Sequence, residues 1–313
     1  MPRKKQGRPI HGWLVIDKPG GLTSTGVVTK LRRAFDAKKA GHAGTLDPIA
    51  TGILAIAFGE ATKTIPFVVD GEKTYRFTVT FGEARDTDDI EGKIIAQSHI
   101  RPAREQILAA LPAFIGEIGQ VPPAFSAVKV DGERAYDLAR AGATPVLESR
   151  KAFIRSLILL SQPDRDRAEL EMRCGKGTYV RAFVRDLGLK LGSFAHVSAL
   201  RRTALGPFTE SQAIPLDSAL AFGNSPPAQN GLLPLKTALA DIPALAVAEG
   251  DAARLRTGQT ALLRGRLFHE AQELMGEEPP SAVLVTDQRG DVIALARLER
   301  GEIVPLRVFN FSA

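Results

Sequence analysis

The chain has 313 residues, 44% hydrophobic and 24% charged, long enough to bury the cores of one large and one small domain. No apolar run approaches the roughly 20 residues of a membrane span and no secretory h-region follows the basic start, while the lone Cys174 excludes an intrachain disulfide and the five scattered histidines offer no metal-ligand spacing. The formal charge of +6 is uneven: residues 236–313 hold nine Lys and Arg against eleven Asp and Glu, leaving 32 against 24 before them, an excess that points to a polyanionic partner and, with no leader, to the cytoplasm.

Residues 1–10, with Arg3, Lys4, Lys5 and Arg8 and no acid, are expected to form a disordered basic arm. Trp13 to Ile16 reads as a short strand, and Thr23 or Ser24 caps a helix with Val27, Val28, Leu31 and Phe35 on its apolar face. Lys30, Arg32, Arg33, Lys38 and Lys39 crowd that helix and its exit, either complementing the helix dipole or forming a basic ridge. The ridge leads into Gly41-His42-Ala43-Gly44-Thr45-Leu46-Asp47-Pro48-Ile49-Ala50-Thr51-Gly52, a loop feeding the buried strand Ile53–Phe58. Asp47 is its only acid; the glycines permit close backbone approaches and Pro48 biases Asp47 toward an extended conformation. Such a stiffly presented carboxylate either caps a turn or does chemistry.

A helix is expected over 61–69, then a strand over Lys73–Phe81 with Tyr75, Phe77, Val79 and Phe81 on one face. The acidic run from Asp86 to Gly92 fails the spacing of a calcium loop and reads as a polar loop. A helix over 102–111, a strand over Phe125–Val130 and a helix over Glu133–Ala141 follow, then strands over Ala152–Leu160 and Ala168–Cys174, the second placing Cys174 in the core. Thr178 is expected to cap a helix carrying Val180, Phe183, Val184, Leu187 and Leu191 inward. Arg181 then lies in its first turn, where the helix dipole disfavours a cation, so an acidic partner is expected. Residues 199–203 are extended, 223–231 read as a linker, and the runs 281–286 and 292–298 form a hairpin in a small β-rich unit from about 235.

An ionised aspartate is a nucleophile without an adjacent base, and a nearby arginine would orient it. The stretches His11 to Gly20, Gly41 to Gly52, Lys73 to Arg76, Pro122 to Lys129, Gly177 to Arg181 and His196 to Arg202 resemble, in order, the motifs of the bacterial tRNA pseudouridine synthase B family. The resemblance implies a mixed α/β (α+β) fold: a catalytic domain over 11–234 round a central, largely antiparallel sheet, and a small β-rich PUA-like domain over 235–313. It implies cofactor-free isomerisation of uridine-55 in the TΨC loop of tRNA to pseudouridine; a monomer that needs no protein partner is expected, and no metal site is legible. Asp47 matches the catalytic aspartate, with attack at C6, attack at C1′ and a glycal route all open. Tyr75 matches the tyrosine that stacks on the flipped uracil, and Arg181 the arginine paired with the carboxylate. His42 matches the histidine that fills space in the T-loop, while Lys18, Pro19, Val180 and Leu200 match residues shaping the pocket.

Residues 235–313 carry no motif of that family, and their slight acidic excess argues against an electrostatic grip on RNA. A nucleotidyltransferase reading of Gly44-Thr45-Leu46-Asp47 fails because Pro48 to Gly52 stands where a His-x-Gly-His is required. A non-catalytic tRNA-binding or tRNA-folding protein on the same scaffold is the alternative, opposed by intact Asp47, Tyr75 and Arg181.

Overall fold

The structure, a computed structural model, describes residues 7–126, 128–130, 133–135, 138, 147–223, 231–276 and 280–311. In chain order the first part runs β1 (Gly12–Lys18), α1 (Ser24–Ala34), β2 (Ala40–Ala43), β3 (Thr51–Phe58), α2 (Ile65–Asp70), β4 (Lys73–Phe81), β5 (Glu83–Arg85), β6 (Ile94–Gln97) and α3 (Arg104–Ala110). It continues with β7 (Gly116–Gln120), β8 (Lys129–Val130), β9 (Glu133–Arg134), β10 (Arg150–Ser161), β11 (Arg167–Cys174), α4 (Val180–Lys190), β12 (Ala195–Leu205), β13 (Phe208–Thr209), β14 (Ile214–Pro215) and α5 (Leu216–Ala221). Among the described residues ten strands form one sheet, ordered β14-β1-β3-β12-β4-β11-β10-β7, with β2 beside β3 and β13 beside β12. Only the β1–β14 and β3–β12 pairs in it are parallel, so the sheet is largely antiparallel as expected.

Sequence pattern explains most of this. Ile53–Phe58 is a continuous apolar run because β3 is covered on both faces, whereas β11 alternates because only Ala168, Leu170, Met172 and Cys174 face the core. Burial pushes the Cys174 thiol up to about 11, so it is inert packing at neutral pH. Phe77 and Phe183 meet edge to face at 5.9 Å where α4 lies on β4. Thr23 caps α1 by accepting from Gly26 N at 3.0 Å, and Val27 and Leu31 are buried beneath.

Several expectations change. Ala40–Ala43 pairs with β3, so the irregular part of the glycine-rich segment is confined to 44–50. The helix expected over 61–69 is split into a 3₁₀ turn (Gly59–Thr64) and α2, with Pro66 placed early in α2, where its missing N–H is tolerated. Only Lys129–Val130 of the expected strand 125–130 is extended, and Glu133–Arg134 pairs with it instead of starting a helix; most of 135–141 lies outside the described residues, as do 1–6 and 224–230. Within the expected arm, Arg8 N donates to Asp36 O and Ile10 is buried. The cap of α4 is Tyr179, with no side-chain bond, one residue beyond Thr178.

After a 3₁₀ turn (Leu235–Leu239) come β15 (Ala244–Val247), α6 (Glu249–Arg256), β16 (Ala261–Leu262), α7 (Arg266–Met275), β17 (Val283–Asp287), β18 (Val292–Glu299) and β19 (Glu302–Val308). Their five strands are ordered β15-β17-β18-β19-β16, the β17–β18 hairpin among them. Leu284, Leu295 and Phe309 pack with Trp13, Val15, Phe208 and Leu235, fixing this sheet to the back of β1. Among the described residues no helix is long and apolar enough to cross a membrane.

Candidate active site

Asp47 stands on a short bridge between β2 and β3 whose backbone is held at several points. Ser24, at the start of α1, accepts from Leu46 N at 2.8 Å and donates to Leu46 O at 3.1 Å. Pro48 O accepts from Gly21 N at 2.8 Å and from Lys18 Nζ at 3.1 Å, and Ala50 N closes a turn onto Asp47 O at 3.1 Å. Gly52, at φ +92°, sits where a Cβ would come within 2.2 Å of Arg202 O, because β3 and β12 run side by side there. The carboxylate on this frame is oriented by backbone geometry before any ligand arrives.

Arg181 meets it from the first turn of α4. Its Nε lies 2.9 Å from Asp47 Oδ2, with Arg181 5% and Asp47 36% exposed in their side chains. The two terminal nitrogens are engaged as well: one Nη donates to Thr87 O at 2.8 Å and approaches Asp89 Oδ2 at 3.6 Å, and the other donates to Phe125 O at 2.9 Å. This acidic partnership offsets the unfavourable position of a cation at a helix start. Asp89 is itself buried and fixed by Thr87 Oγ1 at 2.6 Å and Glu91 N at 3.1 Å. Its neighbour Asp88 is pushed up to about 6 by burial, against the pull of Arg185.

Asp47, Tyr75, Val180, Arg181 and Leu200 line one cavity of about 280 Å³, at the small end for a ligand site and suited to one base. Burial raises the Tyr75 phenol, against the opposing pull of Arg202. Lys18, Pro19 and His42 lie outside that cavity. Lys18 is buried behind the loop, donating also to Pro19 O at 2.9 Å and Leu22 O at 2.8 Å, and burial lowers it to about 8. Pro19 lines a neighbouring groove with Asp17 and Arg201. His42 is on β2 opposite Ile56, its Nδ1 buried with no hydrogen-bond partner among the described residues; burial, then the Arg202 charge, lowers it, so it is neutral at neutral pH.

Sequence reasoning missed several contributors. Arg202, Lys73 and Tyr179 also line the cavity. Ser24 is visible in the sequence only as a possible cap, and Asp89 only as part of a polar loop. Gln120 carries no local signal, yet its side-chain amide accepts from Tyr179 N at 2.8 Å and donates to Tyr179 O at 3.0 Å, pinning the start of α4. The usable signal was the helix-start Arg181, which demanded more acceptors than one aspartate provides.

Residues 32–180 match the profile of the TruB family pseudouridylate synthase N-terminal domain, and residues 181–240 that of the tRNA pseudouridylate synthase B C-terminal domain. A tRNA pseudouridine synthase B of Bradyrhizobium diazoefficiens is 55% identical over 99% of this chain and 88% of its own. That of Caulobacter vibrioides is 51% identical over the full length of both. Among solved structures, a chain from an H/ACA RNP bound to a substrate RNA containing 2'-deoxyuridine superposes with a TM-score of 0.72 at 22% identity, covering 99% of this chain and 92% of its own. A chain of a Cbf5-Nop10-Gar1 complex gives 0.71 at 24% identity, covering 100% and 91%. At those identities the structural likeness speaks for the fold, while the full-length sequence likeness to the first two decides the family: the chain belongs to the TruB family of pseudouridylate synthases.

Proposed function

We propose that this protein isomerises uridine-55 in the TΨC loop of tRNA to pseudouridine, with Asp47 as the catalytic carboxylate. The observation that carries the assignment is the 2.9 Å ion pair between Arg181 and Asp47 at the wall of a one-base cavity. The uridine is hidden in a folded loop, so it is extruded into the cavity and its lost stacking replaced by Tyr75, a contact of about 1–3 kcal/mol per base. The N1–C1′ bond breaks with Asp47 acting on the nucleotide, the base turns, C5 bonds to C1′, and the C5 proton leaves while N1 gains one. Val180 and Leu200 bound the base, and Lys18 and Pro19 support the loop from behind. His42, on the strand leading into that loop, occupies space in the T-loop. In this reading residues 11–234 catalyse, 235–313 form a PUA-like module, and the protein acts as a cytoplasmic monomer without protein partner or cofactor. The test is to incubate purified protein with unmodified tRNA and map pseudouridine by carbodiimide-dependent primer extension. A stop one nucleotide 3′ to position 55 is expected; a modified transcript without that stop would overturn the position, and an unmodified one the activity.

Two expectations separate the roles. Tyr75→Phe keeps the aromatic face and Tyr75→Leu loses it, so if stacking is the main task Phe is the milder change. Equal, near-complete loss of turnover in both with RNA affinity unchanged assigns the essential role to the hydroxyl instead.

The second concerns pH. With Lys18 lowered to about 8, the folded protein gives up this proton while the unfolded chain still holds its own, so between about 8 and the ordinary lysine range this group's contribution to stability rises with pH. The clamp on Pro48 O nevertheless loses a donor in the same window. Activity is therefore expected to decline as pH climbs through about 8 without a parallel loss of stability from this group. Measuring kcat/KM against pH alongside melting temperature checks it, and Lys18→Arg should move the decline to higher pH.

A further inference from the structure

Arg202 is among the largest fully buried side chains, yet among the described residues no carboxylate lies within ion-pair distance of it. Burying a guanidinium is expensive unless every donor is used, so where its donors go is informative. Nε donates to Ile53 O at 2.8 Å, and one Nη donates to Gly44 O at 3.0 Å. The other Nη lies under Gly44, 3.2 Å from where a Cβ would stand, and the φ of +71° there also requires glycine. In the sheet, Arg202 is paired on one side with Gly52 of β3 and on the other with Tyr75 of β4. It therefore touches both ends of the Asp47 bridge and the strand that carries the tyrosine.

We propose that Arg202 is a positioning residue that ties Tyr75 to the backbone of the Asp47 bridge, so that the aromatic platform and the carboxylate keep one spacing. The inference rests on the reading of Asp47 and Tyr75 as the site. A planar fork suits the task, since its donors diverge toward carbonyls of two segments while its face stays against Gly44; a lysine has one donor centre. Tyr75 and Arg202 stand opposite each other across β4 and β12 and both line the cavity, so the guanidinium's charge acts on the phenol, pulling it down against the larger raising effect of burial.

The experiment is a double-mutant cycle of Arg202→Lys and Tyr75→Phe, read as kcat and KM for tRNA, with amide hydrogen exchange of the 41–52 segment in the Tyr75→Phe protein. Arg202→Lys is expected to lower kcat about 10-fold in the wild-type background and less than about 2-fold in the Tyr75→Phe background, because there the coupled hydroxyl is already gone. KM stays unchanged in both, because Arg202 is buried. Exchange over 41–52 is expected to rise in Tyr75→Phe. This measurement requires neither turnover nor a folded Arg202 variant. Equal losses of kcat in both backgrounds, or unchanged exchange over 41–52, would overturn the tie while leaving the site reading intact. Wild-type turnover in both Asp47→Asn and Tyr75→Phe would instead remove the site reading itself, and the tie with it.

Discussion

Asp47→Asn is expected to abolish pseudouridine formation, lowering turnover by at least about 10⁴-fold, while tRNA affinity stays the same or rises slightly. The change is nearly isosteric and leaves Pro48, Gly44 and Gly52 in place, so the bridge keeps its bonds to Ser24, Gly21 and Lys18, all of which engage backbone atoms and not the carboxylate. An amide retains a hydrogen-bond acceptor for Arg181 but has neither the charge nor the nucleophilicity of a carboxylate. Affinity is expected to be preserved because the substitution leaves every Lys and Arg in place, and removing an anion favours a polyanionic ligand. The measurement is tritium release from 5-tritiated uridine in tRNA beside filter binding. If Asp47 merely capped a turn, the amide would substitute and release would proceed at wild-type speed. Tight binding with no release from either protein would favour a non-catalytic tRNA-binding protein.

The parts of this site that were legible in the sequence are those announced by local rules. Glycines beside an aspartate and a proline imply a constrained carboxylate, and a cation in the first turn of a helix implies an acid opposite it; both expectations concern one segment at a time. The strands β3, β4 and β11 were equally readable, since burial on two faces or one writes a continuous or alternating pattern. What stayed hidden depends on segments meeting across the sheet. Asp89 looks like one acid among several in a polar loop, because nothing local says that Asp89 is buried against Arg181 while Glu91 is exposed. Arg202 looks like half of a basic pair, yet its neighbour Arg201 is half exposed and bridges Asp17 and Glu210, whereas Arg202 points inward with carbonyls for company. Alternation alone predicts that adjacent residues face opposite ways, but not that the inward position accepts a charge. Gly116–Gln120 was missed as a strand because its burial is weak, and with it Gln120, whose bond to Tyr179 spans 59 residues of chain.

Arg181→Lys is expected to slow chemistry by about 10²- to 10³-fold with tRNA affinity largely kept, and Asp89→Asn to reproduce part of that loss without touching the carboxylate at Asp47. The guanidinium serves Asp47, Thr87 O, Asp89 and Phe125 O at once, from a helix whose start is pinned by Gln120. A lysine carries the same charge but one donor centre, so it can follow Asp47 or the carbonyls and not all of them. Asp47 would then lose its fixed orientation while staying ionised, which is a defect of geometry rather than of charge, and it falls on kcat. Asp89 adds a test of direction. Being buried and outside the cavity lining, it reaches Asp47 through Arg181 and through the Thr87 loop whose carbonyl Arg181 also binds, so Asp89→Asn should lower kcat while the further loss on adding Arg181→Lys is smaller than in the wild-type background. Arg181→Met goes further, leaving Asp89 buried without its cation, and should lower stability by about 3–5 kcal/mol, visible as a large fall in melting temperature. Single-turnover kinetics with denaturant melts on the same preparations separate the two effects. Wild-type turnover in Arg181→Lys would show that Asp47 needs no oriented partner, and fully additive losses with Asp89→Asn would show that the two residues act independently.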